Sequence, residues 1–412
     1  MLPLLLWLSL SGTTSNAQAG SDPQPNPSQC DCFMTGGNAP ALYRNHQLHD
    51  FRSMDTSMDG YDTKKSAPLV KGDQGTESPP NKYLTSSPFA DEWNLQQWSK
   101  IVKDDTTVKL VNSPGNFFVT TEGDSTYLTL RTHRFADFQS TAEAESTTKN
   151  LHHASIRYRA RVRGNAGAVA GMFTFHDDST ESDIEVLTRD PTNQIRYSNQ
   201  PQMDPAGNYV TASETDQKLP DGMMWDRWNT HRMDWLPEVV SWSINGQNIV
   251  NKSYSVPDKP MTLTINMWSD GGTWSEVMAV GDEAFLDLAW VQVLYNTSDA
   301  DAKGKGKGKK EEDQKACTSI CNVDTGQVDT STPAGGSSLS NSPPPSTAAT
   351  SASSPSHTGA TSTGAQGSAT GTAGPISGAS SLGNHRASPF IERMGVLVTF
   401  SVLSALVLSC GV

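Results

Sequence analysis

No stretch of this 412-residue chain carries the spacing of a long amphipathic helix, which argues against helical bundles and against the alternating strand-helix classes. Basic charge is also scarce. Lys and Arg number 31 against 44 Asp and Glu, a formal net charge of −13, which argues against nucleic acid as a partner. The one basic run, Lys303 to Lys310, alternates with glycine and meets Glu311-Glu-Asp313, which reads as a solvated linker. Cysteine is sparse, five in all. One of them, Cys410, falls in the C-terminal apolar stretch. The other four form two short-spaced pairs, Cys30 with Cys32 and Cys317 with Cys321, flanking the region of ordinary globular composition. An even count at those positions predicts two disulfides in an exported chain, with the pairing left open; a zinc site on the two pairs is the alternative.

The ends agree with export. Residues 1–19 begin with an apolar run, Leu2 to Leu10, and end near Ala17-Gln-Ala19, the pattern of a secretory signal. Residues 389–412 close on an uncharged apolar tail, preceded by a polar spacer and by the small residues Ser377-Gly-Ala-Ser-Ser381. That order predicts a removable signal for a GPI lipid anchor, with a plain membrane span as the alternative. Residues 323–388 are dominated by Ser, Thr, Gly, Ala and Pro and have almost nothing to bury, as in a disordered stalk. The predicted layout is therefore a signal (1–19), an N-terminal segment with a long polar loop (20–84), a folded domain (85–298), a linker with its cysteine pair (299–322), the stalk and the anchor signal. The mature protein is expected to be secreted and held at the cell surface. Asn251 and Asn296 head glycosylation sequons.

Within the domain, three carboxylates stand at alternate positions, Glu181, Asp183 and Glu185, among apolar and β-branched neighbours. A strand turns such residues to one face, with Ser182, Ile184 and Val186 on the other. A solvated strand face that happens to carry acids is the alternative to chemistry, although acids are depleted in strands and repel one another there without a packing benefit. Repulsion predicts that at least one carboxyl keeps its proton near neutral pH. The span from Glu181 to Glu185 favours the close carboxyl pair of a retaining glycosidase.

Short alternating runs surround this one: 127–132, 155–162, 168–175, 194–198, 229–235, 239–244, 261–268 and 285–295, separated by turn signals such as Asn245-Gly246 and Gly271-Gly272. The cadence predicts an all-β sandwich of antiparallel sheets. Trp235 and Trp242 alternate with apolar residues and are expected in the core. Trp268 and Trp274 leave a strand through the Gly-Gly loop and are the candidates to touch sugar, with Asn266 and Arg196 as polar binding candidates. The adjacent His152 and His153 are expected on opposite faces of a strand and are not read as metal ligands.

Glu181-Ser-Asp183-Ile-Glu185, together with Trp228 to Trp235, Val240-Ser-Trp242 and the segment Asn266 to Trp274, resembles glycoside hydrolase family 16 over roughly residues 85–298. The resemblance implies a concanavalin A-like jelly-roll sandwich, with Glu181 as nucleophile, Asp183 as its orienting partner and Glu185 as acid/base. Its spacing is similar to the regular-strand branch of the family rather than the bulged one. Ser182, where an apolar residue is usual, and His231 depart from the pattern. The export signals, stalk and anchor resemble fungal cell-wall members, which implies a β-glucan polysaccharide substrate, with chitin as a possible acceptor for chain transfer. No cofactor is implied, and a structural calcium ion stays open. A lectin-like carbohydrate-binding protein on the same sandwich, and a structural wall protein, are the competing readings.

Overall fold

The computed structural model describes residues 29–36, 40–100, 108–220, 222–298 and 317–330. The expected signal segment, most of the linker, the stalk beyond residue 330 and the anchor signal lie outside the described residues. The described part is an all-β jelly-roll sandwich, and each run anticipated above coincides with a strand, those from 168 and 261 starting one residue ahead of theirs.

One sheet carries the acids. Its strands lie in the order Glu214–Lys218, Gln194–Asn199, Thr180–Leu187, Val169–Asp177, Thr262–Trp268, Phe138–Ser146 and Trp93–Leu95, every pair antiparallel. The second sheet is built around the long strands Leu151–Gly164 and Glu283–Thr297. Asn229–Leu236, Val239–Ile244 and Gln247–Lys252 extend one side, and Ser125–Arg134 with Phe117–Glu122 extend the other. Phe138–Ser146 belongs to both sheets. Its first residues pair with His133 and Arg134 of the second sheet, and Ala142 to Glu145 pair with the acid sheet, which nearly closes one side of the sandwich.

Period-two alternation then builds the core. Met172, Ile184, Val186, Tyr197, Ile265 and Met267 face Ile156, Tyr158, Met233, Trp235, Trp242 and Leu286, all buried. Trp235 and Trp242 are core residues, as expected, and the Trp235 indole N–H donates to the Pro257 carbonyl at 2.9 Å. The Asn245-Gly246 turn joins its two strands with φ of 49° and 80°, the left-handed pair that a tight hairpin requires.

Three expectations are corrected. His152 and His153 do not point apart, because the pairing slips between Leu151 and Ala154 and His153 takes φ 67°, so the two rings lie 4.3 Å apart against Trp235. The sandwich begins before residue 85, since Asn45–Asp50 forms a strand on Glu283–Thr297. The folded part also runs past residue 322: Val323 is buried, and Val328–Asp329 pairs with Ile320–Asn322.

That last pair belongs to a small sheet with Cys32–Met34 and Leu42–Tyr43. Disulfides Cys30–Cys321 and Cys32–Cys317 lock it, resolving both the pairing and the zinc alternative. Phe33, Tyr43 and Val323 pack on Leu294, and Asp324 reaches Arg157 at 2.7 Å and Arg232 at 3.5 Å. The segments flanking the sandwich, 30–43 and 317–329, thus form a clasp on the second sheet.

Candidate active site

Cross-strand register fixes what surrounds each carboxyl. Glu181, Asp183 and Glu185 pair with Phe175, Phe173 and Gly171, and no bulge interrupts the pairing between them. On the other side Asp183 pairs with Ser198 and Glu185 with Arg196. The three acids therefore share one face, as the alternation predicts. They line a cavity of about 50 Å³ with Gly171, Phe173, Gln200, Gln202, Asn266, Trp268 and Trp274.

Glu181 and Asp183 are 7% and 2% exposed, whereas Glu185 is partly exposed. Asp183 accepts from the Ser198 hydroxyl at 2.7 Å and the Gln200 amide at 3.3 Å, which fixes it firmly. The Glu181 and Asp183 carboxyls also act on each other, which favours a proton held by one of them. The Glu181 Oε2 atom is buried and has no hydrogen-bond partner. Burial, followed by the neighbouring carboxylates, pushes Glu181 well up; burial also raises Asp183. Glu185 is raised to about 8 by burial, then by Asp183 and Glu214, against the lowering effects of the Trp274 hydrogen bond and of Arg196. Near neutral pH the trio retains protons while still holding negative charge.

Of the predicted binding residues, Asn266, Trp268 and Trp274 line the cavity. Trp268 is 4% exposed, packed with Val169 and Leu187, so it presents little of its ring. Arg196 is not among the lining residues. Its guanidinium is engaged by Asp190, Glu214 and Asp216 at 3.0–3.2 Å and lies over the Trp274 ring, 4.9 Å from the centroid. The sequence reading missed Glu143, which is buried on the same face. Asn266 and Asn112 donate to its two oxygens at 3.2 and 3.4 Å, and burial raises it to about 7. A signal for it existed, because Ala142-Glu143-Ala144-Glu145 repeats the alternation of the acid strand.

The register runs Glu185, Gly171, Asn266, Glu143 across four strands. A Cβ at Gly171 would lie 2.6 Å from Asn266 Oδ1, so only glycine keeps this floor open. The unusual Ser182 is also explained. Its hydroxyl donates to Asn199 Oδ1 at 2.7 Å, and the Asn199 amide donates to the Tyr254 carbonyl at 2.9 Å, so the buried polar groups satisfy one another. His231 is buried and held neutral, its pKa pushed down by burial to about 4.

A jelly-roll sandwich with a carboxyl-lined cleft on one sheet defines the class. Residues 104–284, which contain the acid strand, match the family Glycosyl hydrolases family 16. Among curated relatives, a "Xylanase/beta-glucanase" of Ruminococcus flavefaciens is 25% identical over 134 residues, which make up 30% of this chain and 15% of that protein. A "Beta-glucanase" of Bacillus subtilis (strain 168) is 28% identical over 123 residues, 28% of this chain and 46% of that protein. The match thus spans less than half of either relative. Among solved structures, a prokaryotic beta-1,3-1,4-glucanase (lichenase) from a mouse hindgut metagenome gives a TM-score of 0.41 at 16% identity, covering 61% of this chain and 99% of that one. The Bacillus licheniformis beta-glucanase gives 0.38 at 19% identity, covering 50% and 92%.

Proposed function

We propose that this protein is a retaining glycosidase acting on β-glucan, and that it transfers the cleaved chain to an acceptor sugar as well as to water. The observation that carries the reading is the acid trio on one strand, where a buried nucleophile oxygen without a partner lies two positions from an orienting Asp and four from a proton-holding Glu. Glu181 attacks the anomeric carbon as the bond to the leaving oxygen breaks, and Glu185 gives its proton to that oxygen. Glu185 then takes a proton from water or an acceptor hydroxyl, which displaces Glu181 and frees the product. Asp183, held by Ser198 and Gln200, keeps the Glu181 carboxyl in its attacking orientation and shares its proton.

The glucan substrate is supported by the family of residues 104–284 and by relatives named as beta-glucanases. Chitin as an acceptor, the GPI anchor and a place at the cell surface rest on the sequence signals, with the two disulfides supporting export. A purely binding protein gains nothing from buried carboxyls, whose desolvation is costly.

The test is mass spectrometry of products after incubating the protein with β-1,3-glucan, β-1,3-1,4-glucan and chitin oligosaccharides, beside Glu181→Gln. Shortened and lengthened oligosaccharides that disappear in the variant are expected. Unchanged oligosaccharides from folded wild-type protein would replace this reading with a carbohydrate-binding one.

A further inference from the structure

Trp274 is held by packing, by a cation and by a hydrogen bond. Its ring lies beneath the Arg196 guanidinium and packs against the Val169, Leu187 and Trp268 cluster, so the indole offers the cleft its N–H edge. That N–H donates to Glu185 Oε1 at 3.2 Å. The loop carrying it is fixed at both ends. Asp270 Oδ1 accepts from the Gly272 N–H at 2.9 Å and the Ser275 hydroxyl at 3.0 Å, and Arg189 grips Glu276 at 2.5 Å. Arg196 is itself anchored by three carboxylates from the neighbouring turn and strand. A rigid chain of contacts therefore runs from the edge of the acid sheet through Arg196 and Trp274 to one oxygen of Glu185.

We propose that Trp274 is a positioning residue for the proton donor: its indole N–H orients the Glu185 carboxyl and, with Arg196 clamping the ring, governs the pH at which Glu185 gives up its proton. This rests on the glycosidase reading above. An N–H donated to a carboxyl oxygen favours the ionised form. It works against the burial and the negative neighbours that keep Glu185 protonated. Those neighbours are Glu181 and Asp183 on its own strand, Glu214 and Asp216 beyond Arg196, and Glu143 across Gly171 and Asn266. The Arg189–Glu276 pair at the loop is internally balanced. Beside the indole, Arg196 is the other group that lowers Glu185 against that negative charge.

The experiment is the pH dependence of kcat and KM on a β-glucan oligosaccharide for wild type, Trp274→Phe and Trp274→Gln. The loss of a hydrogen bond to a charged group is expected to move the basic limb of kcat/KM upward by about one pH unit in Trp274→Phe. At neutral pH kcat falls while KM changes little, and Trp274→Gln, which restores a donor, moves the limb back. A raised KM with an unmoved limb would make Trp274 a sugar contact and overturn the proposal.

An NMR titration makes the test independent of turnover and of how the Trp274 variants fold. The Trp274 indole Hε1 resonance is expected to inflect with the Glu185 titration and to lose that inflection in Glu185→Gln. A flat titration overturns the proposal. A wild type that titrates in this way but turns over no glucan would refute the glycosidase reading alone.

Discussion

Asp324 places its carboxylate 2.7 Å from the guanidinium of Arg157, joining residues far apart in the chain at the centre of the second sheet. Arg157 is almost fully buried, and the Gly36 N–H also donates to Asp324, at 2.6 Å. Asp324→Ala leaves a buried cation unpaired. The expected cost is about 2–3 kcal/mol, below the usual figure for a buried pair because the Asp324 side chain remains 25% exposed. Urea unfolding curves of the two proteins check this, and a midpoint unchanged by the substitution would show that the clasp bears no load at this pair.

The disulfides close loops of 285 and 291 residues, so they restrict the unfolded chain strongly. Reduction is expected to lower the melting temperature, with each bridge contributing about 2–4 kcal/mol. Melting with and without a strong reductant measures it. An equal Tm in both would place the clasp outside the cooperative unit.

Gly171→Ala puts a methyl against Asn266 Oδ1, on the floor beside Glu185. Glucan cleavage is expected to fall about 10²-fold, the scale of an ångström-sized misplacement, with the fold retained. Steady-state kinetics together with circular dichroism separate a blocked floor from an unfolded protein. Unaltered kinetics would show that substrate does not cross this strand.

Stability should be greatest on the acid side of neutrality. Burial lowers His46, His153 and His231 to about 4, so the unfolded chain binds their protons first as pH falls below 6.5, and that loss is complete near 4. Burial raises Glu143 and Glu214 to about 7 and Glu185 to about 8. The native state therefore holds their protons longer, and stability is lost as pH rises from 4.5 through 8. Glu181 and Asp183, also raised by burial, add to the carboxyl side, so the acids outweigh the three histidines between about 4.5 and 6.5 and stability falls gently there and more steeply toward pH 8. Melting temperatures across that range test it, and a maximum above pH 7.5 would contradict the buried-carboxyl contribution.

Asn251 and Asn296 are alike in sequence and unlike in place. Asn251 is exposed on the Gln247–Lys252 strand, whereas the Asn296 amide donates to the Leu42 carbonyl at 3.1 Å and accepts from the Arg44 N–H at 3.0 Å, tying the clasp down. Glycopeptide mapping of the protein made in a glycosylating host is expected to find sugar on Asn251 and little on Asn296. Full occupancy at Asn296 would show that the clasp forms without those two bonds.

The sequence by itself determined the strands and the acid face, because a two-residue period is a local property: Glu181, Asp183 and Glu185 had to share a surface once their strand formed, and Trp235 and Trp242 had to be buried with their apolar neighbours. The Asn245-Gly246 turn was legible for the same local reason. Glu143 carried the same alternation but lies far away in the chain, and only strand pairing brings it into the row with Glu185. Arg196 and Trp274 read alike as sugar contacts, until packing engaged one with three carboxylates and turned the N–H edge of the other toward Glu185. The histidine pair broke its alternation because a slipped register and a left-handed residue reset it. Which cysteines meet, that Val328–Asp329 joins the small sheet and which sequon asparagine is tied to the clasp were decided by tertiary structure, since the clasp depends on contacts between residues hundreds of positions apart, which no local periodicity encodes.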